Sequence, residues 1–168
     1  MKKILALILG AVMCMSLLAA CGEAEEPALS GAELAEHYKE AITAGRSDAD
    51  NADRPIYITG EEEEMGSIVW DLLGLKAEDL DAYALSVSLM NTQAYCVGLF
   101  KPVEGKEEAV TSALQTYVEG TQRSFEFYLP DQGEIANNAI LKTLDDGTVM
   151  LVMSEGWDEV AEGITAAL

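Results

Sequence analysis

Glu126, Asp131 and Glu134 crowd the Tyr128-Leu129-Pro130 bend, and paired carboxylates of this kind are the arrangement best suited to acid-base hydrolysis. Arg123 and Asn137 flank them, so Arg123, Glu126, Tyr128, Asp131, Glu134 and Asn137 form the candidate interaction site. The chain holds 30 acidic residues, so any one pair says little. The same side chains, with Asn138, equally suit ordering the connection through bonds to the backbone. A thiol nucleophile would need a cationic neighbour or a histidine. The only histidine, His37, is far in sequence from Cys96, which lies in an apolar run as a small buried hydrophobe would. There is no G-x-S-x-G elbow, H-E-x-x-H pair, phosphate-binding glycine loop or spaced cysteine pair. No catalytic residue, cofactor or resident metal is therefore expected. A non-enzymatic interaction or ligand-binding module is the preferred function, with a hydrolase using acidic residues near the 126–138 connection as the alternative.

Cys21 carries a different chemistry. Met1-Lys2-Lys3 is a short positive region, Ile4 to Leu17 is almost wholly apolar, and Leu18-Ala19-Ala20-Cys21 follows. The block is too short and wrongly flanked for a stable span, and it has the form of a secretory signal peptide over 1–20. Its last four residues resemble the bacterial lipobox. There the cysteine thiol takes a diacylglycerol and the signal is cut before it. Each buried CH₂ contributes about 0.8 kcal/mol, so two or more acyl chains give stable attachment. Cys21 is thus the expected lipidation site, and the domain is expected at the extracytoplasmic face of the cell membrane, held through diacylglyceryl-Cys21. With Cys14 lost and Cys21 lipidated, Cys96 stands alone and no intramolecular disulfide can form.

Charge narrows the partners. Ten Lys and Arg face 30 Asp and Glu in 168 residues, and removing Lys2 and Lys3 with the signal leaves 8 against 30, or −22. So acidic a surface repels phosphate backbones and anionic headgroups, which excludes nucleic acid as a partner. A protein or small-molecule partner is expected.

Residues 21–28 read as a charged tether and 29–168 as one domain. Ser30 with Glu33 has the form of a capping box, Leu29 with Leu34 that of a hydrophobic staple, and Leu34, Tyr38, Ala41 and Ile42 form a helical stripe ended by Gly45. His37 lies beside that stripe, partly exposed. Asp48 to Asp53 invites comparison with a calcium loop, but Ala52, Asp53 and Thr59 occupy positions that need other residues, so a solvated loop is expected there. A second helix is expected from Thr59, with Glu62 and a glutamate-rich first turn, burying Met65, Ile68, Val69, Leu72 and Leu73 before Gly74.

Alternation then replaces helical spacing. Tyr83, Leu85, Val87 and Leu89 oppose Ala84, Ser86 and Ser88, and Tyr95, Val97 and Leu99 oppose Ala94, Cys96 and Gly98. Two strands over 80–101 joined at Asn91-Thr92 are predicted, their small residues gathered on one shared face. A long helix over 106–128 follows, then a hairpin turning at Asp145-Asp146-Gly147, then a terminal helix with Trp157, Val160, Ala161, Ile164 and Leu168 in register. The expected architecture is α+β, an antiparallel sheet of about four strands with helices mainly on one face.

Leu73-Gly74-Leu75, Gly98-Leu99-Phe100-Lys101, Ser124-Phe125-Glu126, Tyr128-Leu129-Pro130 and the Val149 to Ser154 strand, behind the lipobox, resemble a family of extracytoplasmic lipoproteins of Gram-positive anaerobic bacteria. These carry a domain of unknown function, number 4358 (DUF4358). Members often have an arginine near the middle of the long helix, where Tyr117 stands here. The resemblance implies a lipoprotein of unknown role and assigns no catalytic or ligand residue.

Overall fold

The computed structural model describes residues 29–57 and 66–168. The signal, Cys21, the tether, and Thr59, Glu62 and Met65 of the second helix lie outside the described residues. In chain order the elements are α1 (Gly31–Gly45), α2 (Asp48–Asp53), α3 (Gly66–Leu73), a 3-10 turn (Ala77–Asp79), β1 (Leu80–Val87) and β2 (Cys96–Pro102). Next come α4 (Glu107–Phe125), α5 (Pro130–Asn137), β3 (Ile140–Thr143), β4 (Val149–Met153) and α6 (Trp157–Ala167).

The four strands form one antiparallel sheet in the order β1-β2-β4-β3, so the two hairpins share a sheet and join through β2 and β4. Asn91-Thr92 makes the first turn. At the second turn Gly147 sits at φ 86, in the left-handed region that side chains avoid. Tyr57 adds an isolated antiparallel bridge to Leu85.

Helices cover both faces of the sheet, where mainly one was expected. On one side α3, α4 and α5 bury Trp70, Leu73, Val110, Leu114, Val118, Phe125 and Ile135 against Leu85, Cys96, Phe100 and Leu151. On the other, α1 and α6 bury Leu34, Tyr38, Ile42, Val160 and Ile164 against Ala84, Val97, Leu99 and Val152. The physical reason lies in β4, whose five residues Val149-Met150-Leu151-Val152-Met153 are all buried. A strand with no polar alternate needs an apolar layer above and below.

Strand register corrects a second expectation. Ala84 pairs with Leu99, Leu85 with Gly98, and Ser86 with Val97. Directly paired residues share a face, so each small residue of one strand lies beside a large residue of the other. The small residues do not gather on one face. A Cβ on Gly98 would lie 2.7 Å from the Phe100 ring and 3.1 Å from Leu85 Cβ, so glycine makes the room that those side chains fill.

Other expectations shift locally. Ser30 is the N-cap of α1 but makes no side-chain cap bond, so the capping box does not close. Asp81 Oδ2 accepts from the Gly31 N–H at 3.3 Å instead, and Leu29 is exposed rather than stapled. Asp48 to Asp53 is a short helix rather than a loop, capped by Ser47, whose Oγ accepts from the Asp50 N–H at 3.1 Å. Strand β1 ends at Val87, which is half-buried, and Leu89 beyond it is exposed. The polar stretch after Pro130 is helical, with the proline in its first turn where no N–H is needed.

Candidate functional site

Helix α3 is apolar on more than one side, and this shapes a wide groove. Val69, Trp70 and Leu73 face the core, with the Trp70 and Tyr83 rings edge to face at 4.8 Å. Ile68 and Leu72, expected in that buried stripe, lie on a second stripe and are 52% and 42% exposed. The β1–β2 turn brings up Leu89 and Met90, 40% and 56% exposed. Between them runs a cleft of about 790 Å³, walled on the far side by Ala113, Tyr117, Gly120 and Phe125 of α4. Half of the described domain's exposed large hydrophobic side chains thus line one groove.

The apolar edge is held in place by polar bonds. The Ser88 N–H donates to the Tyr95 carbonyl at 3.0 Å, Ser88 Oγ accepts from the Met90 N–H at 3.2 Å, and the Gln93 N–H donates to the Met90 carbonyl at 3.1 Å. Leu89 and Met90 are presented to solvent by an ordered turn. Asp71 is the only carboxylate among the described residues lining the groove, and no lysine, arginine or histidine lines it. Burial holds the Tyr117 hydroxyl far above the usual phenol range, the Cys96 sulfur adding to the shift and a bond with Thr121 opposing it, so that wall is uncharged at neutral pH. The cleft suits an apolar, uncharged occupant.

Part of the site expected from sequence comes together elsewhere. Arg123, Glu126, Glu134 and Asn137 line an open groove of about 600 Å³ between the end of α4 and α5, whereas Tyr128 and Asp131 do not line it. All six residues are exposed. Arg123 lies 3.8 Å from Glu119, one turn back on its own helix. Glu126 and Glu134 make no hydrogen bond or ion pair through their carboxylates among the described residues, and Asp131 accepts from Gln132 Nε2 at 3.3 Å. The connection is ordered mainly by neighbours of the expected group. Gln122 Nε2 donates to the Ala136 carbonyl at 3.1 Å, Gln132 Oε1 accepts from the Ala94 N–H at 2.9 Å, and Asn138 Nδ2 donates to the Glu134 carbonyl at 2.9 Å.

Cys96 is fully buried on the α4 side of the sheet, and burial pushes its thiol up to about 12. His37 lies on α1, with Nε2 3.4 Å from the Leu168 carbonyl oxygen. The two are on opposite sides of the sheet. Among the described residues no group of three or more His, Cys, Asp or Glu could hold a metal ion, and no helix is long and apolar enough to cross a membrane.

The groove was missed because helical spacing allowed one broad stripe where the helix carries two. The signal was present in Ile68-Val69-Trp70 with Leu72-Leu73, an apolar set too wide for one contact face.

No match was found among the curated proteins or among the solved structures. Residues 58–154 match the family described as Domain of unknown function (DUF4358), and every residue lining the apolar groove falls inside that stretch. Since the match spans more than half of the chain, the protein belongs to the DUF4358 family.

Proposed function

We propose that the chain is a lipoprotein held through diacylglyceryl-Cys21 at the extracytoplasmic face of a cell membrane, where it binds an uncharged, apolar segment of a partner protein in the cleft between α3, the β1–β2 turn and α4. Its task is recognition rather than bond chemistry. The observation that carries this reading is the convergence of Ile68, Leu72, Leu89 and Met90 on one cleft free of cations. Those four side chains are already about half buried, so covering the rest in a partner would contribute roughly 1 kcal/mol each before the cost of association. Support for the anchor comes from sequence alone, the apolar block ending in Leu18-Ala19-Ala20-Cys21. The acidic exterior fits such a place, since it keeps the domain off anionic headgroups while acyl chains hold it near them.

Two measurements test the reading. Metabolic acyl labelling with membrane fractionation should find label and retention in the wild type and lose both in Cys21→Ala. Unchanged labelling and retention in the variant would remove the anchor from the account. A photo-crosslinking side chain at Leu72, in native cells, should give a peptide adduct from a second protein. Adducts confined to lipid acyl chains would replace the protein partner with a lipid.

A further inference from the structure

A second cavity, of about 680 Å³, lies where α2, the start of β2, α5 and the first turn of α6 meet, and it contains a charge that no carboxylate among the described residues pairs with. Arg46, which ends α1, is 7% exposed. Its guanidinium is held by neutral acceptors only. Nε and Nη2 donate to Asn51 Oδ1 at 3.1 and 2.8 Å, and Nη1 donates to the Arg54 carbonyl at 3.1 Å and to the Tyr95 hydroxyl at 3.2 Å. Among the described residues no carboxylate pairs with it. Its neighbour Arg54 is neutralised by Asp50 at 3.0 Å and lies over the Tyr95 ring at 4.0 Å. Asp50 is thereby engaged, and the positive charge of Arg46 remains.

Removing an ion from water costs several kcal/mol unless an opposite charge offsets it. Four of the five guanidinium N–H groups are used, which fixes the group in place and leaves one donor on Nη2. Arg54 likewise uses Nε on Asp50 and Nη1 on Gln93 Oε1, leaving Nη2 with no acceptor among the described residues. Both side chains line the same cavity, in a chain whose net charge, with these two arginines counted, is −20. A rigid planar donor with an uncompensated charge is the usual recognition element for a carboxylate or phosphate.

We propose that this cavity binds a small oxyanion group, carboxylate or phosphate, with Arg46 as its counter-charge and Arg54 as its second donor. The site is separate from the apolar cleft and does not depend on the reading of that cleft. Glu155 and Glu159, exposed at and just before the start of α6, also line the cavity, as does Asp50, and these carboxylates disfavour a bulky or highly charged anion. They favour one compact group as the ligand.

The chain contains three arginines, so each Nε–H gives its own signal in a nitrogen-15 spectrum. The full chain in mild detergent should be titrated with inorganic phosphate and, separately, with acetate, against sodium chloride at matched ionic strength. Saturable shifts of the Arg46 and Arg54 signals, with Arg123 unmoved, are expected for at least one oxyanion. A response to phosphate alone would identify a phosphoryl ligand, and a response to acetate alone a carboxylate. Arg54→Gln should weaken binding about tenfold, the usual order for losing a charge-assisted donor. Glu159→Gln should strengthen binding, because it removes a like charge from the cavity wall. Arg46→Lys keeps the charge and loses the fork, so it should weaken binding while leaving the domain folded. Shifts that never saturate, or that chloride reproduces, would overturn the proposal even if an arginine variant fails to fold.

Discussion

Gly45 and Gly163 meet where α1 crosses α6, so closely that a Cβ on Gly163 would lie 2.8 Å from Gly45 Cα. The contact is reciprocal. A Cβ on Gly45 would come within 2.7 Å of the Ile164 backbone nitrogen and 2.9 Å of the Val160 carbonyl oxygen. Because the obstacle is backbone, rotamer changes cannot relieve it, and the helices would have to separate. That contact seats α6 against α1 and so sets the layer that covers one face of the sheet.

Gly163→Ala should therefore destabilise the domain by about 1–3 kcal/mol, the usual cost of overpacking, despite the better helix propensity of alanine. Gly120→Ala is the comparison, since nothing lies nearer to its added Cβ than Arg123 Nη2 at 4.0 Å. That variant should gain about 0.5–1 kcal/mol, as alanine does at an unobstructed helix position. Urea unfolding of both variants checks the pair. Equal changes would refute the close crossing.

Leu114 and Leu89 separate core from groove. Leu114 is fully buried under the sheet, and Leu114→Ala should cost about 2–5 kcal/mol. Leu89→Ala, at the rim of the cleft, should stay within about 0.5 kcal/mol of wild type. A large loss of stability on changing Leu89 would mean that it belongs to the core after all.

Several of these relationships were legible in the sequence. Alternation from Tyr83 to Leu99 located the first hairpin, Gly147 the second turn, and the spacing of Leu34, Tyr38, Ala41 and Ile42 the buried side of α1. Register was harder, because pairing Leu85 with Gly98 depends on how the two strands slide past each other, which a periodicity of two leaves open. Coverage of both faces could have been read from Val149 to Met153, a strand with no polar alternate. The cavity at Arg46 could not, since Asn51, Tyr95 and Glu159 converge only after α1, α2, β2 and α6 have packed.

Two groups at Thr148 give the fold opposite pH limits. The Asp146 carboxyl is pushed up by partial burial but down by more through bonds from the Thr148 hydroxyl and N–H and the nearby Lys101 charge, so it sits below its ordinary value. A depressed carboxylate stabilises the fold above its unfolded pKa of about 3.9 and loses that contribution as pH falls through the folded value. Asp146→Asn should flatten the stability profile on that acid limb. Tyr38 behaves in reverse. Burial raises its hydroxyl to about 12, against an opposing bond with Thr148 Oγ1 at 2.5 Å, so its contribution is complete below about pH 10 and disappears as pH rises through about 12. Tyr38→Phe should reduce the alkaline slope. Unfolding profiles of both variants that overlay the wild type across these windows would contradict the assignment.

Cys96 offers a probe of global opening. Buried and held at about 12, its thiol should react with a disulfide reagent only as fast as the domain unfolds. Adding urea should accelerate the reaction in step with the unfolding rate. Rapid labelling under native conditions would show that the α4 side of the sheet opens locally.

The cleft lined by Ile68, Leu72, Leu89 and Met90 is the proposed recognition surface. Its most direct test is photo-crosslinking in native cells from Leu72 and Leu89 in the cleft and from Glu162, which is exposed on α6. A discrete peptide adduct is expected from both cleft positions, none from Glu162, and loss of the adduct when Ile68→Asp or Met90→Asp places a carboxylate in the groove. The same adduct from Glu162, or one that survives both substitutions, would contradict this role of the cleft.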